Sequence, residues 1–209
     1  MTVPEFLAWA EAQSERPHAE LINGRIVPKY PDRTLTVEEY LAWGQAQPER
    51  QRTELINGQI VPMTPERADH VEIKGAAFVA LREAIARARI PCRAMSDGMT
   101  VRVDDYTAYE PDALVYCGDR IARNALVIPN PVIIVEVLSP TTAHIDTSAK
   151  LIGYFSLPSV EHYLVIDPDA HAITHHTRSA DGTIANIVAE GTLRLDPPGI
   201  ELTVADLFS

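Results

Sequence analysis

Three observations predict an α/β protein with a mixed β-sheet flanked by helices. Residues 131–138, PVIIVEVL, form an apolar run of the kind found in strands buried on both faces. Residues 66–89 form a helical pattern in which Val71, Phe78 and Ile85 are seven residues apart. Short strand patterns and a second helical segment follow, and interleaved strands and helices are typical of this class.

Composition and charge limit the possible functions. The 209 residues are 46% hydrophobic and 22% charged, which favours a folded globular protein. A net charge of -11 argues against a non-specific duplex-binding protein, which normally has a basic face, but clustered carboxylates can hold the divalent metal of a nuclease. No apolar run approaches the ~20 residues of a membrane span, and the N-terminus lacks a signal peptide pattern. We therefore expect a cytoplasmic protein that does not associate with a membrane.

Two cysteines, Cys92 and Cys117, are too few for the set of several disulfides that holds small secreted domains together. Both lie in apolar sequence surroundings, so we expect buried free thiols rather than a metal or redox pair.

An internal repeat occupies the N-terminal third. Residues 2–31, here the first module, align without gaps on residues 36–65, the second module, with 19 of 30 positions identical and an offset of 34. The pattern of each module predicts a short amphipathic helix and then a strand that enters an Asn-Gly turn. Since one domain has room for one copy in the native position, we predict an extra copy at 1–34 and the main domain at 35–209.

Capping boxes are predicted at the start of both module helices. Thr2 and Thr36 are the expected N-caps, with Glu5 and Glu39 three residues further on.

The remaining elements follow in order. Strands are expected at 93–95 and 99–103, joined by a turn at 97–98, and at 111–117. Residues 118–130 are expected to form a loop with a short helix. A helix near 143–157, a strand at 162–167, a hairpin of 172–177 with 184–190, and a tail at 200–208 that caps the sheet complete the prediction.

One carboxylate, that of Glu136, lies inside the apolar run of residues 131–138. A charge there is costly unless a metal or a lysine pairs with it. Asp112 begins the preceding strand, and two carboxylates on adjacent strands can bracket Mg²⁺ or Mn²⁺. Lys150, on the next helix, can reach the same place and stabilise phosphate charge or position water. The pattern favours a metal-dependent phosphodiesterase centre.

Each candidate also has a structural explanation. Asp112 fits a simple strand start after a proline. Asp146 and Lys150 are four residues apart on a helix, as in an ordinary surface ion pair. Glu54, like its repeat twin Glu20, fits a solvated strand edge as well as it fits a site.

Four histidines are interpreted as structural. His70, in the first turn of the long helix, fits a capping or partly buried histidine better than a catalyst. The hairpin histidines are not expected to form a transition-metal site, because alternation places at most some of them on one face; they are His171, His175 and His176.

From about residue 36 to the C-terminus, the motifs resemble the Uma-type restriction-endonuclease-like family of the PD-(D/E)XK nuclease superfamily. The matching segments are TVEEYLAW, ELINGQIVPM, PDALVY and VEVLSPTTAHIDTSAKLIGYFSLPSVEHYLVIDP. The resemblance implies a restriction-endonuclease-like α/β core. It also implies that Asp112 and Glu136 are metal ligands and that Lys150 is the catalytic lysine. Glu54 would correspond to the acidic residue that precedes these in the superfamily's active centre.

The chain departs from the plain superfamily pattern at Leu138, where a lysine is expected two residues after the acid. The Uma-type branch resembles this chain in having the lysine on the following helix.

Two functional hypotheses follow. The first is a Mg²⁺- or Mn²⁺-dependent DNA endonuclease, expected as a homodimer because cutting both strands of a duplex favours two-fold symmetry. The second is a non-catalytic protein-interaction module on a nuclease-like scaffold. Its motivation is the acidic charge, the displaced lysine, and the extra aromatic face that Phe6 and Trp9 give the first module.

Overall fold

The computed structural model describes residues 1–11, 19–22, 25–28, 33–47, 52–63, 66–138, 146–180 and 182–208. The side chains of residues 10, 11, 19–22, 25–28, 146 and 147 lie outside this description. The helices in the described residues are α1 (Val3–Glu11), α2 (Val37–Ala46), α3 (Ala68–Ala88) and α4 (Asp146–Ser156), with a 3-10 helix at Val204–Leu207. None of them has the length and apolar character needed to cross a membrane.

The strands lie in two larger sheets and two hairpins. In chain order they are β1 (Ala19–Ile22), β2 (Arg25–Pro28), β3 (Thr53–Ile56), β4 (Gln59–Pro62), β5 (Cys92–Ser96), β6 (Val101–Arg102), β7 (Ala108–Tyr109), β8 (Ala113–Cys117), β9 (Pro131–Val137), β10 (His162–Asp167), β11 (Ala172–Ser179), β12 (Gly182–Val188), β13 (Thr192–Leu195) and β14 (Ile200–Thr203).

The central sheet has the order β12-β11-β10-β9-β8-β5. Its β9–β10 pair is parallel and the other pairs are antiparallel, so the predicted mixed α/β class is confirmed. The parallel pair is joined through α4, as a crossover connection requires. A second sheet has the order β4-β3-β7-β6 and contains the hairpin of the second module.

The central sheet is covered on both faces. Helix α3 and the β13–β14 hairpin bury one face, where Leu81 and Leu195 are fully enclosed. Helix α4 buries the other face, where Tyr154 packs near Ile134. Coverage of both faces explains why the β9 sequence is a continuous apolar run rather than an alternating one.

Helix α3 forms as predicted, and its buried face includes the expected Leu81 and Ile85 but not Val71. Val71 is 51% exposed, whereas Ala77, Leu81 and Ala84 face the sheet. Small alanine side chains allow the helix to lie close to the sheet, and this close approach decides which face is buried.

The predicted capping box forms in full at α2, and at α1 the Glu5 side-chain half of it is present. Thr36 Oγ1 accepts a hydrogen bond from the Glu39 backbone N–H, and the Glu39 side chain accepts one from the Thr36 N–H, which completes the box. At the start of α1 the Thr2 backbone N–H donates to Glu5 Oε2 at 2.7 Å.

The cysteine prediction is wrong. Cys92 and Cys117 are register partners on β5 and β8 and form a disulfide, and Cys117 is exposed. Their sequence context could not show that an antiparallel pairing places them opposite each other.

The strands predicted on either side of the 97–98 turn both form, and they belong to different sheets. The short helix predicted within residues 118–130 is wrong. Residues 118–130 contain no helix, and Val127 forms an isolated bridge with Thr100. The Thr100 N–H donates to Leu126 O, and the Ile128 N–H donates to Thr100 O.

Candidate functional site

The site is built where β8 begins and β9 ends. These strands are antiparallel, and Ala113 pairs with Val135, so Asp112 lies opposite Glu136. Asp112 is 4% exposed, and its Oδ2 accepts a hydrogen bond of 2.7 Å from the Val137 backbone N–H. The first predicted pair of carboxylates is therefore adjacent.

Glu136 is held by two donors from α4. Lys150 Nζ lies 3.1 Å from Glu136 Oε1, and Tyr154 Oη donates to the same oxygen at 2.7 Å. Lys150 and Tyr154 are four residues apart, so one face of the helix presents both groups to the strand. The Glu136 side chain is only 12% exposed.

Glu54 reaches the same lysine from the second sheet. Its Oε1 lies 3.0 Å from Lys150 Nζ and accepts a hydrogen bond of 3.0 Å from the Glu110 backbone N–H. Glu54 is 5% exposed in β3, so the solvated strand-edge explanation does not hold. Lys150 thus bridges carboxylates on the two sheets.

A glycine lets α4 approach the site closely. A Cβ at Gly153 would lie 2.8 Å from Cε2 of Tyr109, so a larger residue would displace this ring. The Tyr109 ring contacts Tyr154 edge-on at 5.3 Å and lies 5.6 Å from Lys150 Nζ, within the range of a cation–π interaction. The aromatic rings fix the position of the ammonium group.

Burial is the main perturbation of Glu136. Removal from water raises the pKa of Glu136 to about 8, Lys150 opposes this rise, and the negative charges of Asp112 and Glu54 add to it. Burial, together with the charge of Glu136, also raises the pKa of Tyr154 well above its ordinary value, so the phenol remains a donor. Without a further cation, Glu136 is largely protonated at neutral pH.

A second basic residue, Lys74 of α3, lies on the other side of Asp112. Its Nζ is 3.1 Å from Asp112 Oδ1 and 2.8 Å from both Glu66 Oε1 and Asp97 Oδ2. Burial lowers the pKa of Lys74, but the hydrogen bonds that its ammonium donates to Asp97 and Glu66 outweigh this effect and raise the pKa overall. Arg52 pairs with the same Glu66 carboxylate.

His70 is buried beside this cluster. Its Nε2 lies 2.9 Å from Val137 O, and since a carbonyl only accepts, Nε2 carries the proton. In the neutral ring Nδ1 is then the nitrogen with a lone pair; it is buried, it has no hydrogen-bond partner among the described residues, and it lies 3.9 Å from Glu66 Oε2. This matches the partly buried histidine that the sequence suggested, with an atom available as a ligand.

The combined cluster has more acids than bases. Its carboxylates outnumber its lysines and arginines by six to three among the described residues. The acids are Glu54, Glu66, Asp97, Glu110, Asp112 and Glu136, and the bases are Arg52, Lys74 and Lys150. A divalent cation would reduce this excess of negative charge, and oxygen ligands are those that Mg²⁺ and Mn²⁺ prefer.

Two sets of groups could hold such an ion. One is the predicted pair, Asp112 and Glu136. The other adds α3: ligand atoms of Glu66, His70 and Asp112 lie within 4.8 Å of one another. Asp112 belongs to both sets.

The structure thus brings together all four predicted site residues, Asp112, Glu136, Lys150 and Glu54. The Asp146 side chain lies outside the described residues. His175 and His162 contact each other at 3.0 Å on a different part of the sheet.

The sequence interpretation missed the contribution of α3. His70 and Lys74 are four residues apart on one side of α3, and Glu66, four residues before His70, lies just ahead of the helix. A polar row of this kind at the start of a helix that is otherwise apolar on its buried face is a signal that could have identified them.

Comparison with known proteins agrees with this fold. The sequence model of the Uma2 family, described as "Putative restriction endonuclease", matches residues 37–205. The crystal structure of a putative nuclease belonging to DUF820 from Anabaena variabilis ATCC 29413 superposes with a TM-score of 0.66 at 20% identity. This match covers 83% of this chain and 97% of that chain, and it supports the fold alone.

Two proteins of Synechocystis sp. (strain ATCC 27184 / PCC 6803 / Kazusa) are similar in sequence. The uncharacterized protein slr1290 is 30% identical over 110 residues, 52% of this chain and 57% of that protein. The uncharacterized protein sll1609 is 29% identical over 75 residues, 35% of this chain and 42% of that protein. The chain thus spans about half the length of these curated relatives.

Proposed function

Since the chain belongs to the Uma2 family, we propose that it is a Mg²⁺- or Mn²⁺-dependent DNA endonuclease that acts as a homodimer. The observation that carries the proposal is the pair of buried carboxylates Asp112 and Glu136 on neighbouring strands, within a cluster that has an excess of acids. Family membership supports nuclease chemistry, and the metal and the DNA substrate belong to the proposal.

In this function Asp112 and Glu136 are metal ligands, and Glu66 and His70, which form the second set with Asp112, are further candidate donors. The ion, when bound, polarises a phosphate oxygen and lowers the pKa of bound water. Ion binding favours the ionised form of Glu136, so it releases a proton from the protein at neutral pH.

Lys150 is the group placed to meet negative charge. Its ammonium is held by Glu54 and Glu136 and fixed by the Tyr109 ring, so it reorganises little when phosphate charge develops. Glu54 positions this ammonium by sharing it with Glu136. Lys150 on α4 therefore takes the catalytic role that the plain superfamily pattern gives to a lysine two residues after the acid.

Cleavage of supercoiled plasmid with Mn²⁺ or Mg²⁺ tests the proposal. We expect wild type to nick or linearise the DNA, and Glu136→Gln and Lys150→Met to be at least ~100-fold slower, since each removes a group used in the transition state. Glu83→Gln is the matched control, because this α3 carboxylate is 65% exposed and lies outside the cluster. Equal cleavage by wild type and Glu136→Gln would refute the proposal.

Titration calorimetry with Mn²⁺, with and without duplex DNA, separates binding from catalysis. We expect heat from wild type and Glu83→Gln but not from Glu136→Gln. If wild type binds no metal even with DNA present, the scaffold hypothesis replaces this one.

A further inference from the structure

The two modules have the same backbone architecture. The bounds of β1 and β2 match those of β3 and β4 at the repeat offset of 34 residues, and α1 begins at the position equivalent to the start of α2. The hairpin register is also the same, since Glu20 pairs with Val27 as Glu54 pairs with Val61. Each chain therefore contains two versions of the element that supplies Glu54 to the site.

The second module docks on the segment 105–108, here called the docking surface. The Val37 N–H donates to Asp105 O at 2.9 Å, and the Gly58 N–H donates to Tyr106 O at 2.6 Å. Leu55, fully buried, pairs with Ala108.

The first module has the same residues at these anchoring positions. The sequence equivalents of Val37, Leu55 and Gly58 are valine, leucine and glycine, at positions 3, 21 and 24. Because two of these anchors are backbone groups, they depend little on the substitutions elsewhere in the repeat.

Two substitutions that occur together leave the first module able to occupy a buried position. In the second module Tyr40 Oη donates to Thr53 O at 2.5 Å and lies 3.1 Å from Thr53 Oγ1. In the first module the corresponding residues are Phe6 and Ala19, so both hydroxyl groups are missing together. Loss of both partners leaves no buried side-chain hydroxyl without a bond, whereas loss of one would.

The apolar face of α1 is exposed where that of α2 is buried. Val3 is 61% exposed and Leu7 is 55% exposed, while Val37, the equivalent of Val3, is 1% exposed. The surface that covers this face in the twin is known, because it is the docking surface of the same chain.

We propose that the two modules are interchangeable occupants of one docking surface, and that the first module replaces the second and places Glu20 where Glu54 stands beside Lys150. The chain connection allows the exchange. In the exchanged state residues 32–65 form an insertion between position 31, at the end of the first module, and Glu66. Closing such a loop costs entropy that grows only slowly with its length. The occupant belongs to the same chain because the tether gives it a high effective concentration.

The exchange goes beyond the proposed nuclease function and does not depend on it. It predicts that Leu21 pairs with Ala108, the residue with which Leu55 pairs in the arrangement described here, and this pairing can be trapped without measuring DNA cleavage.

Disulfide trapping in the full-length chain tests the exchange. The variant Leu55→Cys/Ala108→Cys reports the described arrangement, and Leu21→Cys/Ala108→Cys reports the exchanged one. Under mild oxidation we expect both to form an intramolecular cross-link, the second more slowly, because trapping drains a minor state that refills from the major one. Peptide mapping by mass spectrometry distinguishes these links from the native Cys92–Cys117 disulfide.

The matched control is Ile22→Cys/Ala108→Cys, one residue out of register. If the first module docks in the register of β3, the Ile22→Cys/Ala108→Cys pair should cross-link at least ~10-fold more slowly than the Leu21→Cys/Ala108→Cys pair. The reason is that a one-residue shift turns the side chain to the other face. Equal rates for the two pairs would indicate random collision and overturn the proposal. No cross-link with Leu21→Cys, or a covalent dimer in place of an intramolecular link, would overturn it as well.

Discussion

Replacing Glu136 with glutamine should stabilise the metal-free protein at alkaline pH. The pKa of Glu136 is about 8 in the folded protein against an ordinary value of 4.5, chiefly because the carboxyl is buried. A carboxyl with a raised pKa binds more protons in the folded state, so stability falls as the pH rises from 4.5 to 8. The amide of the Glu136→Gln variant would keep an oxygen for Lys150 and Tyr154 and would remove this cost.

The magnitude follows from linkage. The full difference in pKa corresponds to about 5 kcal/mol, of which about 4 kcal/mol is expressed by pH 8, and we expect about 2–4 kcal/mol because the cluster can relax. For a domain of this size such a gain raises the melting temperature by roughly 5–10 °C. At pH 5.5 the gain should shrink to roughly a third, since most of the cost appears above that pH.

The assay is thermal unfolding by circular dichroism in chelator at pH 5.5 and pH 8. Asp112→Asn is the matched control with the opposite expected sign. Its carboxylate accepts from the Val137 N–H and pairs with Lys74, so an amide group would face a donor, and we expect a loss of about 2 kcal/mol or more. A Glu136→Gln variant that melts at or below wild type at pH 8 would refute the reasoning, as would a gain independent of pH.

Three further outcomes are expected. Lys150→Met should lower the free energy of unfolding by about 3 kcal/mol at pH 7 in urea titrations, because Glu54 loses its buried cation; an unchanged midpoint would contradict the ion pair. Burial, then the charge of neighbouring histidines, lowers the pKa of His175 to about 4 from 6.5, so stability should fall as pH drops from 6.5 to 4. His175→Gln should flatten that fall, by at most about 3 kcal/mol, and equal slopes would count against it. Gly153→Ala should cost roughly 1–3 kcal/mol by displacing the Tyr109 ring, while Gly44→Ala, with open space at its Cβ, should not destabilise the protein.

The predicted fold elements depended mostly on local signals. The apolar run of β9, the helical spacing of α3 and the capping box at Thr36 are properties of a few consecutive residues, and all three elements form. Elements whose formation depends on distant partners were predicted less well. Residues 118–130 contain no helix, and within them Leu126 and Ile128 form backbone hydrogen bonds to Thr100, a distant residue that the local sequence could not indicate.

The site shows the same division. Glu136 was identifiable because a carboxylate inside an apolar strand needs a partner, and that argument requires no coordinates. The bridge from Lys150 to Glu54 was not derivable, because β3 belongs to the second sheet whereas α4 packs on the central sheet. Lys74 was missed because a lysine on a helix is normally exposed, and only the packing of α3 on the sheet buries it.

By itself the sequence determined the α/β class, the repeat, the polar residue inside β9 and the resemblance that pointed to a nuclease-like family. These depend on residue type and spacing, which short-range sterics and burial turn into helices and strands. Only the tertiary structure decided the Cys92–Cys117 disulfide, the exposure of Val71 on α3 and the raised pKa of Glu136. Each of these depends on which distant groups meet and how much water they exclude, and the folded chain alone sets both.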